Sequence, residues 1–299
     1  MIVVGAGIAG LACARELVDA GVPAKVVERG RVVGGRLASK RFDGRYADIG
    51  AAYITADDPA FEGRLESWRI AGLAHPWTTT FQVYDQGRVP RPSDGPMRWS
   101  APGGLRSLAE DLAAELDVTL EHEVTELPEA DAVVLAMPAP QAQRITALDV
   151  QQDWSPVLSA VLTYPDRSWA DFGGAFVNDH PVLATVCDDG GRRGDRAPVL
   201  VAHSTGDYAR PRLNDPISAA GDLEQAVREL LDLPKAAETR VHRWTFAQPA
   251  PGGGELFHRQ GDVYLCGDAF GKPRVQTAWQ SGRAAARDIL TRRDQSRER

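Results

Sequence analysis

Gly5, Gly7 and Gly10 stand in MIVVGAGIAG, and Glu28 closes the later apolar run AKVVE. Their types and spacing suit the binding of a dinucleotide. Gly5 permits a tight turn after a short strand, and Gly7 lets backbone approach a pyrophosphate. Gly10 lets a helix pack on the strand, and the N-terminus of that helix, at Ile8 and Ala9, offers free N–H groups to phosphate. Glu28 is placed to accept hydrogen bonds from both hydroxyls of an adenosine ribose. The glycine pattern alone does not separate NAD from FAD. Further on, Arg29-Gly30-Arg31 leads into Val33-Gly34-Gly35-Arg36, and then into Asp48-Ile49-Gly50-Ala51-Ala52-Tyr53. Paired glycines admit an extended cofactor alongside bare backbone. Arg36 adds a fixed positive charge near phosphate or a ring carbonyl.

These residues need elements to hold them. Met1–Val4 and Ala24–Glu28 read as buried parallel strands, with Ile8–Ala20 as the crossover helix. Pro59–Gly72 reads as a helix. Phe81–Val89 reads as a hairpin about a Gln86-Gly87 turn, and Pro90–Pro102, rich in proline, as an irregular connection. Leu105–Leu116 is an amphipathic helix. Val118–Val124 and Ala132–Met137 are strands that return to the nucleotide domain. Val157–Tyr164, Gly174–Val177, Val182–Cys187 and Val199–Ser204 alternate and suggest a mixed or antiparallel second sheet. Asp188–Arg196 reads as a flexible charged loop. Asp222–Leu231 is a helix, and Arg240–Phe246 and Val263–Cys266 are strands. A helix from Val275 to Leu290 and a frayed tail over Arg292–Arg299 finish the chain.

The 299 residues suffice for two domains. The composition, 43% hydrophobic and 25% charged, is that of a globular protein. A net charge of −7 invites neither nucleic acid nor an anionic membrane. Cys13, Cys187 and Cys266 form no C-x-x-C, which points to a reducing, cytoplasmic setting without a disulfide framework or metal site. The apolar start is punctuated by glycine and used by the first strand, so it reads as neither signal peptide nor membrane span. It begins almost on that strand, leaving room for a few residues upstream.

Gly34-Gly35-Arg36 after the ribose-binding acid resembles the flavoprotein amine-oxidase superfamily. So does Gly267-Asp268 after VYLC, followed by Pro273-Arg274-Val275 and a helix through Ala278. Ala101-Pro102-Gly103-Gly104-Leu105, the Met137-Pro138-Ala139-Pro140 strand end, Leu200–Thr205 and His242-Arg243-Trp244 extend the resemblance along the chain, towards bacterial renalase-like flavoproteins. Ala52, Lys272 and Gln276-Thr277 depart from the pattern beside the flavin. The resemblance implies an α/β fold. A Rossmann-type FAD-binding domain of the glutathione-reductase and p-hydroxybenzoate-hydroxylase kind (1–75, 100–150, 254–299) is interleaved with a smaller mixed-sheet α+β substrate domain (76–99, 151–253). It implies noncovalent FAD held by Gly5, Gly7, Ile8, Ala9, Gly10, Glu28, Arg29, Gly34, Gly35, Arg36, Gly50, Ala51, Val124, Met137, Gly267, Asp268, Arg274, Val275 and Ala278. In that scheme Asp268 receives the ribityl hydroxyls, and the last helix points its N-terminus at the reducible edge of the ring.

The resemblance also implies a reaction. Renalase-like enzymes oxidise misformed dihydronicotinamide isomers to NAD(P)⁺ and pass the electrons to O₂, giving H₂O₂. Loss of hydride from a dihydropyridine needs no general base, so a flat aromatic pocket is expected, with Tyr53, Trp244 and Trp279 as catalytic candidates and Trp77 as a further wall. His203 and His242 read as structural. The alternatives are a flavin amine oxidase or secondary-metabolite dehydrogenase, and a flavin-binding protein without turnover. The expected partners are a small-molecule substrate and O₂, with the protein a monomer or homodimer.

Overall fold

A computed structural model describes residues 1–42, 44–85, 89–170 and 172–297. The first half of the chain forms β1 (Ile2–Val4), α1 (Ile8–Asp19), β2 (Lys25–Val27), β3 (Ser39–Phe42) and β4 (Arg45–Asp48). It continues through α2 (Pro59–Ile70), β5 (His75–Tyr84), β6 (Arg91–Ser100), α3 (Arg106–Ala113), β7 (Asp117–Thr119), β8 (Val133–Leu135) and α4 (Ala139–Ala142). The second half begins with β9 (Trp154–Thr163), β10 (Gly174–Val177), β11 (Leu183–Asp188), α5 (Asp189–Arg193), β12 (Val199–Ser204) and α6 (Gly206–Ala209). It ends with α7 (Ala220–Leu231), β13 (Glu238–Pro249), β14 (His258–Gln260), β15 (Val263–Leu265) and α8 (Val275–Arg297).

Short, continuous apolar runs such as IVV and VVL pair in parallel, because both of their faces must be covered. They form the parallel part of a six-stranded sheet in the order β14-β15-β8-β1-β2-β7, whose edge strand β14, the polar HRQ, runs antiparallel to β15. Its register aligns Val4 with Val27 and Leu135, and Leu135 with Leu265. The carboxyl ends of β1, β2, β8 and β15 therefore lie level, and Gly5, Glu28, Ala136 and Cys266-Gly267 leave the sheet along one edge. Helices α1, α3 and α8 cover one face through Leu11, Leu17, Leu108, Ala285 and Ile289, all nearly inaccessible. α1 and α8 approach closely at Gly282, where a Cβ would sit 1.9 Å from the Ala9 carbonyl oxygen.

The alternating segments build a seven-stranded sheet, β13-β9-β12-β11-β10-β5-β6. It is mixed: β10 runs parallel to β5, and its other pairs are antiparallel. One face packs on α7 through Leu158, Leu162, Leu200 and Leu223. The other face meets the β3–β4 hairpin through Val161, Val199, Val201 and Ile49.

Several expectations are corrected. Pro90–Pro102 is not irregular, since Arg91–Ser100 is strand β6. As the edge strand it tolerates proline, whose missing N–H need not find a partner there, and its ladder shifts register around Thr78. The Gln86-Gly87 turn lies outside the described residues. The strand expected at Val118–Val124 stops at Thr119, and Val124 packs as coil near Val4 and Leu135. Asp188–Arg196 is no flexible loop: Asp189–Arg193 is a helical turn capped by the Asp188 carboxylate, and Asp189 and Arg192 are fully buried. The tail stays helical through Arg297, supported by the Arg292–Asp288 pair one turn apart. Residues 298 and 299 lie outside the described residues.

Candidate active site

The motif glycines divide by what surrounds them. A Cβ on Gly5 would lie 2.7 Å from the Ala136 carbonyl oxygen, and one on Gly10 would lie 2.0 Å from that of Gly5. These two positions are closed by backbone. A Cβ on Gly7 or Gly267 would meet nothing within 4 Å. Bare backbone therefore faces open space at the ends of β1 and β15, as a cradle for an extended ligand requires. Helix α1 starts there with Gly7 as N-cap and no side chain capping it, so its first N–H groups are free to meet an anion. Gly34, with φ of 110°, donates its N–H to the Ala6 carbonyl (2.8 Å) and brings the Gly34-Gly35 turn against Gly7.

Glu28 accepts from the Ala6 N–H (2.8 Å) and the Gly30 N–H (2.7 Å). Each carboxylate oxygen keeps further acceptor capacity. Arg29 is exposed beside it. Arg36 and Asp268, given separate tasks by sequence, form a two-pronged ion pair (2.9 and 2.5 Å). Arg36 also donates to the Ala247 carbonyl (3.1 Å) and lies 5.0 Å from the Trp154 ring centre. Arg274 pairs with Asp57 (2.7 and 2.6 Å), and Gln276 bonds the same carboxylate, which is held down to about 2 chiefly by the Arg274 hydrogen bond. Gln276, at a position departing from the flavin-side pattern, thus serves to anchor the start of α8. Val275 and Ala278 are buried behind that start, and Met137 is half-buried after β8. A Cβ on Gly50 would sit 2.0 Å from the Arg36 carbonyl oxygen, which accepts from the Ala51 N–H (2.9 Å).

The segment from Asp48 to Tyr53 runs along the inner face of the seven-stranded sheet, and its carbonyls are pinned one by one. Trp244 Nε1 donates to Ile49 (2.8 Å), Arg192 Nη2 to Asp48 (2.8 Å), and Arg192 Nη1 to Ala52 (2.8 Å). Arg192 is itself held by Asp189, which Arg45 also contacts (2.5 Å). Asp48 has one oxygen bonded by Ser39 and by the Leu105 N–H, and burial raises its pKa. This buried ionic cluster was invisible in the sequence, where Asp188–Arg196 read as a flexible charged loop.

Above that segment, ladder register aligns His242, Ser159, His203, Thr185 and Phe176 in one row across five strands. Residues directly opposite share a face. Ser159 Oγ, His203 Nε2 and Thr185 Oγ1 are buried atoms without a partner. Burial and the Arg192 charge lower His203 to about 4. Burial with Lys40 and Arg243 does the same for His242. Both imidazoles are neutral at pH 7, and burial raises the Cys187 thiol to about 11.

Two aromatic groups flank the row. At the β13 end, Trp244 stacks edge-on with His242 (4.7 Å) and Trp154 with Phe246 (6.2 Å). At the β5 end, Phe81 contacts Tyr53 (5.4 Å), Trp77 (5.6 Å) and Phe176 (5.1 Å). Tyr53 and Trp244 thus border one strip of sheet, with Trp77 one ring further out. Trp279 does not join them. It packs on Phe61 (5.3 Å) and under Arg283 (4.3 Å), and lines a cavity of about 370 Å³ among α1, α2 and α8. Its position on the helical face of the parallel sheet follows from α8 periodicity.

Comparison with known proteins agrees with this architecture. Residues 3–68 match the NAD(P)-binding Rossmann-like domain, and residues 79–290 match the flavin containing amine oxidoreductase family. A putrescine oxidase of Kocuria rosea is 49% identical over 117 residues, which is 39% of this chain and 23% of that protein. An L-amino-acid oxidase of Siganus canaliculatus is 43% identical over 63 residues, 20% of this chain and 12% of that protein. Each match thus takes in less than a quarter of the relative's length. Among solved structures, cyclohexylamine oxidase from Brevibacterium oxydans superposes with a TM-score of 0.76 at 14% identity, covering 98% of this chain and 99% of that one. Wild-type putrescine oxidase bound to putrescine gives 0.73 at 15% identity, covering 97% and 98%. At those identities the likeness concerns the fold. The family match spans most of the chain, and by it the protein belongs to the flavin-containing amine oxidoreductases.

Proposed function

We propose that this protein is an FAD-dependent oxidase of dihydronicotinamide isomers, producing NAD(P)⁺ and H₂O₂ with O₂ as acceptor. When bound, the flavin supplies a two-electron acceptor that O₂ can reoxidise. The residues present fit it: the open backbone at Gly7 and Gly267, the uncapped start of α1, and Glu28 at the end of β2. Arg36 and Asp268, already paired, would present a preformed polar edge to the ribityl and phosphate portion. The division of labour in this reading is a discontinuous FAD domain (1–75, 100–150, 254–299) and a substrate domain (76–99, 151–253), one chain of each in a monomer or homodimer. The three buried free cysteines suit a cytoplasmic setting.

The observation that carries the reading is the strip between Tyr53 and Trp244, flanked by aromatic rings and carrying imidazoles and a thiol that are uncharged at pH 7. Its histidines are unprotonated at pH 7 and its thiol is protonated, which suits hydride removal from a flat ring. Tyr53 and Trp244, both half-buried, orient that ring. A second reading, oxidation of an amine, draws on the family itself and on the putrescine oxidase and L-amino-acid oxidase relatives. Anaerobic mixing separates the two. Rapid bleaching by 2- or 6-dihydro-NAD(P), and slow bleaching by the 4-dihydro form, is the expected result. Failure of the isomers, with bleaching by an amine within seconds, installs the second reading.

A further inference from the structure

Arg98 is a buried cation that the fold leaves unpaired. It lies on β6, is 5% exposed, and has no carboxylate within 4.0 Å among the described residues. One nitrogen donates to the Thr79 carbonyl (2.6 Å). Its Nε is buried without any acceptor. Three aromatic rings surround it: Phe81 at 4.2 Å, Tyr53 at 5.3 Å and Phe176 at 5.7 Å from the guanidinium carbon. The Tyr53 hydroxyl also hydrogen-bonds the guanidinium, and the rings shield its faces, but neither supplies a counter-charge and Nε stays without an acceptor. Burying such a charge without a counter-charge is costly, and elsewhere in this chain the fold avoids it: Arg192, equally buried, is bonded to Asp189.

Arg98 is also well placed. Trp99, its neighbour, exchanges both backbone hydrogen bonds with Ile54 (3.0 and 2.8 Å), which sets Arg98 beside Tyr53 at the end of the Asp48–Tyr53 segment. A cationic amine seeking an aromatic cage would find this one already holding a positive charge. We propose that Arg98 is the specificity determinant of the pocket, anchoring an oxyanion of the substrate, a carboxylate or a phosphate, through the uncompensated charge of its guanidinium and its unpartnered Nε–H. The inference rests on the reading that the Tyr53 strip is the substrate site. It selects acidic substrates over simple amines whichever bond is oxidised.

Calorimetric titration of the purified holoprotein tests it without turnover, using benzoate, phenyl phosphate, benzamide and benzylamine. At least one of the two anions should bind more tightly than benzamide, and benzylamine should not compete with it. The tighter of the two anions identifies the source of the oxyanion. Arg98→Met should weaken anion binding about 10–100-fold, the worth of a charge-assisted hydrogen bond, and leave benzamide within about 3-fold. Arg98→Lys should fall between, because it keeps the charge and loses the fork. Arg98→Met should also melt no lower than the parent, since an unpaired buried charge leaves with it, whereas a purely structural arginine would lower the midpoint. Anions that bind no better than benzamide to the unaltered protein, or keep their affinity in Arg98→Met, overturn the proposal. The first comparison stands even where a variant fails to fold. Anion binding that persists while dihydronicotinamide isomers fail to bleach the flavin would discard only the proposed reaction.

Discussion

Glu28 serves two masters at the residue scale. Its oxygens already hold the Ala6 and Gly30 N–H groups, and in the proposed site they also receive ribose hydroxyls. Glu28→Ala should weaken FAD binding by roughly 2–4 kcal/mol, two partly overlapping charge-assisted bonds. Loss of yellow colour on dilution and gel filtration measures it, and unchanged occupancy would count against the assignment. His203 gives a pH signature. Its pKa is near 4 when folded, against 6.5 for an ordinary imidazole. Between those values the unfolded chain takes up a proton that the folded protein refuses. Stability is therefore fully present above pH 6.5 and falls on acidification towards pH 4, by at most about 3 kcal/mol. His203→Gln should flatten that part of the melting-temperature profile, and an unchanged slope would assign the effect to other groups.

Helix α5 illustrates how one short element governs another. Five residues with two adjacent glycines carry Asp189 and Arg192 into the interior, where Arg192 grips the carbonyls of Asp48 and Ala52. Asp189→Asn leaves Arg192 and Arg45 short of a counter-charge and should cost about 3–5 kcal/mol. Denaturant unfolding reads it, and a loss under about 1 kcal/mol would show the cluster to be relaxed by water. At the other end of the molecule α1 and α8 meet at Gly282, opposite Ala9 in the first turn of α1. Gly282→Ala should force the two helices apart at a cost of about 1–3 kcal/mol, with weaker flavin retention because the α1 N-terminus moves. Normal retention with full stability would mean that the helices slide without consequence.

The two sheets are interleaved along the chain at the scale of the whole molecule. The parallel sheet takes strands from residues 2–27, 117–135 and 258–265, and the mixed sheet takes 75–100 and 154–249. Ion pairs such as Arg36–Asp268 and Arg45–Asp189 tie distant stretches together. Unfolding should therefore be one cooperative transition, in which flavin release and loss of circular dichroism coincide. Added FAD should raise the midpoint by mass action. Two separated transitions would show that the sheets unfold independently. Acid precipitation should leave all colour in the supernatant, since Cys266 is buried behind β15 and its thiol is pushed up to about 12 by burial.

Local chemistry made the nucleotide end of this protein legible. Gly5, Gly7, Gly10 and Glu28 are required by backbone conformation, close approach and charge at fixed spacing, and fixed spacing is a property of sequence. Most inner strands of both sheets were legible too, because continuous and alternating apolar runs report how many faces are covered. The edge strand carrying Arg98 was not, since its prolines mimic a connection until an edge position excuses them. Nor was α5, because a run of charges shows its burial only when Arg45, Asp48 and Ala52 arrive from elsewhere in the chain. Tertiary structure alone decided that Arg36 pairs with Asp268, that Trp279 belongs to the helices, and that Arg98 sits unpaired among rings. Each of these is a contact between residues far apart in sequence, set by sheet order and register rather than by any local pattern.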